Sequence, residues 1–147
     1  MGMLAGALLA REEAQRCKTS WRGYYVGTAA WGIDKAGQEQ AFLAGNTKFS
    51  CDDPKDCGEI KNMRAARRRG VLLKRFFIIG TPQRDQGSGV LSGTLQPCEL
   101  CRAWMRSQAY RDVVVQADTL IITFNPHTHW CQHFTVLELM RMHGERW

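Results

Sequence analysis

Nowhere in the 147 residues is there an apolar stretch of the roughly 20 positions that a bilayer-spanning helix needs. No internal repeat or low-complexity tract is present either, so solenoid and linker architectures are set aside. A secretory pattern is missing as well. Met1 to Ala10 is apolar, but no basic residue precedes it and no small-residue cleavage site leads into a polar start. It runs on into Arg11-Glu12-Glu13-Ala14, which continues a helix, and the chain is expected to be cytoplasmic. Six cysteines without a secretory signal point to metal binding or free thiols more than to a disulfide framework. Acidic residues are the minority, 14 against 20 Lys and Arg, for a formal charge of +6. The basic residues bunch at Arg64, Arg67, Arg68, Arg69, Lys74 and Arg75, which raises an anionic partner as a candidate. A solvated, Arg-rich helix surface accounts for the same residues.

What is present suits one globular domain spanning 1–147: 44% hydrophobic residues with 23% charged is the balance of an ordered core. Leu4, Leu8 and Leu9 in an Ala-rich setting predict a first helix from Met3 to about Cys17. Lys18 to Gly23 reads as a turn. Tyr24 to Trp31 has strand composition, Asp34 to Gly37 reads as a hairpin turn, and Gln40 to Gly45 as the partner strand. Asn46 to Asp56 is an irregular loop around Asp52, Asp53 and Pro54. Gly58 to Arg69 predicts a helix with Ile60, Met63 and Ala66 along one side, arginines along the other and Gly70 as cap. The second half of Val71 to Gly80 reads as a buried central strand, followed by a loop from Thr81 to Leu95. Cys98 to Ala109 predicts another helix, with Pro97 just ahead of it. Val113 to Val115 and Leu120 to Phe124 read as strands, and Phe134 to Met140 as the start of a last helix. Helices alternating with strands give an α/β class, a sheet covered on both faces.

The chemistry concentrates in two stretches. Cys98 and Cys101, three apart at a helix start behind Pro97, can point both sulfurs at one metal, and Cys57 at the start of another helix offers a third ligand. Three thiolates leave one position of a tetrahedral zinc open, which is a catalytic arrangement. Glu59, two residues past Cys57, can lie beside that open position and carry a proton without ligating. Cys-x-Glu followed by Pro-Cys-x-x-Cys is the signature of zinc deaminases.

Most of the chain resembles the cytidine deaminase family. That family's Phe-x-Val-Gly-Ala-Ala strand appears as Tyr24-Tyr25-Val26-Gly27-Thr28-Ala29, and its Gly-x-Asn-x-Glu as Gly45-Asn46-Thr47-Lys48 after Ala44. Its Cys-Ala-Glu is Cys57-Gly58-Glu59, and its Ser-Pro-Cys-x-x-Cys-Arg is Gln96-Pro97-Cys98-Glu99-Leu100-Cys101-Arg102. The resemblance implies a three-layer α/β/α fold on a mixed, roughly five-stranded sheet, and hydrolytic deamination with Zn2+ at Cys57, Cys98 and Cys101. It implies a cytosine nucleoside or analogue as substrate, and a homo-oligomer, tetrameric in the family. Glu59 would move the protons, the Gly58 backbone would hold the base carbonyl, and the Gln96 carbonyl the amino group. Tyr24 would pack on the base and Asn46 would meet the sugar. Deamination of single-stranded nucleic acid is the alternative, with a non-catalytic zinc module behind it.

Three departures from the pattern stand out. Lys48 replaces the sugar-binding carboxylate, exchanging an acceptor for a cation, so it favours an anionic or modified substrate or else turns to solvent. Ile60 replaces the family's Arg, leaving Lys61 or Arg102 to offset the thiolate charge. Where the family has a closing aromatic this chain has Met142 to Trp147; Trp147 either substitutes for it or, as the expected reading, frays. His127, His129, His133 and Cys131 match no standard metal spacing, Cys17 and Cys51 read as plain thiols, and Gly87-Ser88-Gly89 lacks the helix start of a phosphate cradle.

Overall fold

The computed structural model describes residues 2–16, 26–46, 56–80 and 93–147. The Lys18 to Gly23 turn, Cys17, Cys51 and the Gly87 to Gly89 stretch lie outside them. The elements run α1 (Met3–Arg16), β1 (Val26–Ile33), β2 (Glu39–Gly45), α2 (Gly58–Arg68), β3 (Leu72–Gly80), α3 (Glu99–Arg106), β4 (Leu120–Phe124), β5 (Cys131–Thr135) and α4 (Val136–Met142). The strands form one five-stranded sheet in the order β2-β1-β3-β4-β5. β3 and β4 are parallel, and the other pairs are antiparallel. The mixed sheet of the α/β expectation is therefore present.

Alternation along the central strands sorts the core into two. Ala29, Phe77 and Ile122 lie side by side across β1, β3 and β4 and pack with Ala10 of α1. Their neighbours Ala30, Phe76 and Ile121 face the other way, into the larger cluster with Ile60, Met63 and Ala66 of α2, Met105 of α3 and Leu139 of α4. One helix thus covers one face and three cover the other, because residues one apart on a strand point to opposite sides. Burying side chains of this size contributes about 1.5–3 kcal/mol each. Among the described residues no helix is long and apolar enough to cross a membrane.

The last third of the chain departs from the expected elements. Val113 to Val115 is a turn: the N–H groups of Val114 and Val115 both return to the carbonyl of Tyr110, and Asp112 sits at φ 60. Its valines are apolar because Val114 and Val115 are buried, not because they extend into the sheet. α3 stops at Arg106, short of Ala109, where the Ser107 hydroxyl donates to the Trp104 carbonyl at 2.7 Å. Phe134 and Thr135 belong to β5 rather than to the final helix. β5 returns along β4 after a short connection in which Asn125 Oδ1 accepts from the N–H groups of His127 and Thr128. β3 uses all of Leu72–Gly80, not only its second half.

Thr135 ends β5 and caps α4. Its hydroxyl oxygen accepts from Glu138 N at 3.1 Å while the Glu138 carboxylate accepts from Thr135 N at 3.2 Å, a reciprocal capping box. Replacing Thr135 with Ala is expected to destabilise the protein by about 1 kcal/mol, measured as a lower midpoint in urea unfolding with an unchanged slope.

Candidate active site

Two helix starts meet on the multi-helix face of the sheet. Cys57 is the N-cap residue of α2 and Cys98 that of α3, both in extended conformation and neither using its side chain to cap its helix. Cys101 follows in the first turn of α3. The sulfurs lie 3.6 Å apart for Cys57 and Cys98 and 3.4 Å for Cys98 and Cys101, and all three ligand atoms fall within 4.8 Å of one another. A tetrahedral ion with metal–sulfur bonds of about 2.3 Å would set its sulfurs about 3.8 Å apart. The observed spacing fits one ion with little movement.

The electrostatics of the cluster also call for a cation. Hydrogen bonding with Cys101 pulls the Cys57 thiol down, but hydrogen bonding with Cys98, burial and the Glu59 carboxylate outweigh it and push the thiol up to about 12. Cys101 is driven up further, by hydrogen bonding with Cys57 and Cys98, by burial and by Glu59. Three thiolates do not share this pocket unless a metal ion supplies the opposing charge. Glu59 is itself buried, 4% exposed, in the first turn of α2, and is close enough for its charge to act on Cys57 and Cys101.

The end of β2 fastens the start of α2. Ala44, Gly45 and Asn46 are each engaged in succession. The Thr28 hydroxyl donates to the Ala44 carbonyl at 3.1 Å and accepts from Asn62 Nδ2 at 2.8 Å. Lys61 Nζ donates to the Gly45 carbonyl at 2.7 Å, and Gly58 N–H donates to Asn46 Oδ1 at 3.0 Å. On the other side, Arg64 holds Asp56, the residue before Cys57, at 3.0 Å and stacks over the Trp104 ring of α3.

These contacts place the residues singled out in the sequence. Cys57, Cys98, Cys101 and Glu59 come together. Asn46 and Gly58 are joined to each other beside them. The Gln96 side chain turns away, its Oε1 lying 3.1 Å from His143 Nε2. Tyr24 and Lys48 lie outside the described residues. Of the two cations considered for charge balance, Lys61 reaches β2, whereas Arg102 returns to the Pro97 carbonyl at 2.9 Å, next to Cys98. Trp147 does not fray: it packs on the main core with Arg111 over its ring. His127, His129, His133 and Cys131 are all exposed around β5. Sequence reasoning missed Thr28 and Asn62. Asn62 is four residues past Gly58, which puts both on one side of α2 facing β1, a signal legible only once the helix is docked.

Thr28 and Gly58 are matched in size. A Cβ on Gly58 would stand 2.7 Å from the Thr28 hydroxyl and 3.1 Å from the Ala44 carbonyl. Where the family pattern has Ala at both positions, this chain has Thr at one and Gly at the other, so the volume added on β1 is removed from α2. Gly58→Ala is expected to cost about 1–3 kcal/mol through overpacking, and much less when made in a Thr28→Ala background. Urea unfolding of the four proteins in this cycle measures it; equal costs in both backgrounds would show that the two residues do not meet.

No protein-family model matches the sequence, and no curated protein matches it closely enough in sequence to count as a relative. Solved structures do match. The chain superposes on cytidine deaminase from Burkholderia pseudomallei with a TM-score of 0.67 at 15% identity, covering 95% of this chain and 96% of that one. A mutant cytidine deaminase from Mycobacterium tuberculosis matches with a TM-score of 0.58 at 13% identity, over 95% of each chain. Cytidine deaminase from the same organism matches with 0.52 at 16%, over 90% of this chain and 91% of that one. The order of strands, the helices on both faces and the near end-to-end coverage together show that this chain is built on the cytidine deaminase fold.

Proposed function

We propose that the chain is a zinc-dependent hydrolytic deaminase acting on a cytosine nucleoside or an anionic or modified analogue. The observation that carries this reading is the convergence of Cys57, Cys98 and Cys101 at two helix starts, with the buried Glu59 beside them. Zinc held by the three thiolates would supply Lewis acidity, of the kind that brings a water's pKa down to about 7. Glu59 takes a proton from the attacking water as its oxygen bonds to C4 of the ring. The C4–N bond then breaks. One of the water's two protons ends on the ring nitrogen and the other on the leaving amine, so ammonia departs and a uracil-type base remains. Burial of Glu59 keeps its carboxylate out of competing hydrogen bonds with bulk water.

The substrate side supports something other than plain ribose recognition. Lys48 stands where the family pattern has a carboxylate acceptor, and Asn46 Oδ1 is engaged with Gly58 N–H, the group assigned to the base carbonyl. A base entering by that route would displace Asn46 or share the N–H with it. Tyr24 and the Gln96 carbonyl complete the proposed base contacts, and Lys48 is assigned to a carboxylate or phosphate near the sugar. The exposed Met3, Leu4 and Leu8 of α1 are consistent with the proposed homo-oligomer.

One observation favours the second reading, deamination of single-stranded nucleic acid. Lys35, Arg64, Arg67 and Arg68 line a cleft of about 540 Å³ along α2, with Tyr110 beneath Arg67. Such a cleft suits a phosphate backbone. Loss of cytosine absorbance with cytidine, cytidine monophosphate, blasticidin-type nucleosides and single-stranded DNA separates the two readings.

Glu59→Gln is expected to keep one zinc per chain by elemental analysis while turnover falls by about two to four orders of magnitude. Turnover near the wild-type rate in that variant would refute the mechanism. Stripping the metal with a chelator is expected to abolish turnover and lower the melting temperature, both restored by added zinc.

A further inference from the structure

The loop that delivers Cys98 has no regular structure of its own from Gly93 to Cys98, so its position depends on side chains that reach it from elsewhere. Asn125 Nδ2 donates to the Gly93 carbonyl at 2.8 Å, and the Thr94 hydroxyl is hydrogen-bonded to Thr123 and Gln132. Those contacts fix the far end of the loop. At the near end, beside the ligand itself, Arg102 Nη1 donates to the Pro97 carbonyl.

Arg102 is in turn held by Glu145. Its Nε donates to Glu145 Oε1 at 2.7 Å, and the two side chains are only 11% and 16% exposed. A guanidinium so far out of water needs a paired carboxylate to stay there. The other Glu145 oxygen lies 3.0 Å from Arg106 Nη2, at the more exposed side of α3. Glu145 reaches this place because α4 ends in a Schellman turn. Gly144 takes a left-handed φ of 66, Gly144 N–H donates to the Arg141 carbonyl and Glu145 N–H to the Met140 carbonyl. His143 adds the contact with Gln96, one residue before Pro97.

We propose that Glu145 is a positioning residue for the metal ligand Cys98, acting through Arg102 on the Pro97 carbonyl. The segment after α4 is a strap across the ligand loop. The inference rests on the reading of the cysteine cluster as a metal site, and goes beyond it by assigning part of the metal's retention to a residue far along the chain, Arg102 and Glu145 being 43 apart. Without Glu145, Arg102 turns to solvent, the Pro97 carbonyl loses its donor and Cys98 is free to leave the ion first.

The test is the rate at which the zinc-loaded protein gives up its metal to an excess of chromogenic chelator, with no substrate present. Glu145→Ala is expected to release zinc about tenfold faster than wild type, the scale at which outer partners of a ligand act. Glu145→Gln keeps an acceptor for Arg102 Nε and is expected to fall between. Arg106→Ala removes a donor to the Arg102 backbone carbonyl but leaves the bonds of the Arg102 side chain to Glu145 and Pro97 intact, and is expected to release zinc at about the wild-type rate. A wild-type rate in Glu145→Ala would overturn the proposal, and so would an equal acceleration in Arg106→Ala, which would reduce the effect to general loosening of α3. Failure of wild type to take up zinc would sink the metal reading instead. The strap is then read in metal-free protein by amide hydrogen exchange at residues 98–102. Faster exchange in Glu145→Ala is expected, and unchanged exchange would overturn the proposal.

Discussion

Three sulfurs within 4.8 Å of one another in a largely buried place cannot all be thiolates unless something positive stands between them. Much of the remaining structure can be understood as the means of holding that grouping together. Two helices must begin at one point, so each needs a strand to bring its N-terminus to the same face of the sheet. The end of β2 pins α2, Arg64 ties α2 to α3, and the segment after α4 lies over the ligand loop. The cysteine cluster is thus braced from β2, from α3 and from the segment after α4.

The parts legible in the sequence are those in which chemistry is local. Cys98 and Cys101 sit at a spacing that brings their sulfurs together, and Glu59, two residues after Cys57, enters the same buried place on the first turn of α2. Central strands announce themselves by apolar runs, and Phe76, Phe77 and Ile78 are indeed fully buried. Val113 to Val115 shows the limit of that signal, since burial alone makes a turn look like a strand. β5 shows the opposite failure. Cys131 and His133 are exposed on an edge strand and Phe134 is the one buried residue of β5, so no alternation of apolar residues marks it. Its end was available in principle, because Thr135 and Glu138 form the Thr-x-x-Glu pattern of a capping box. Thr28, Asn62 and Glu145 were out of reach, because each matters through a partner far away in the chain.

Departures from a family pattern look different once neighbours are known. Gly58 alone suggests relaxation of a site no longer used. Beside Thr28 it is half of an exchange of volume across the β1–α2 contact, which keeps the backbone at the start of α2 where a larger pair would push it away. Lys61 and Arg102 likewise divide between them tasks that a single cation would otherwise hold. One joins the helix to the sheet and the other joins the ligand loop to the last segment.

The three cysteines are also widely separated along the chain. Cys98 and Cys101 are near neighbours in sequence and can catch an ion in a chain that is still unfolded. Cys57 lies 41 positions before Cys98, with the whole of β3 between them. Its sulfur stands beside theirs across a long-range contact, of the kind whose loop must close before any contact rewards it. A small zinc finger folds around its ion. Here the three sulfurs meet only across a formed sheet, so an ion held by all three would lock an architecture already standing.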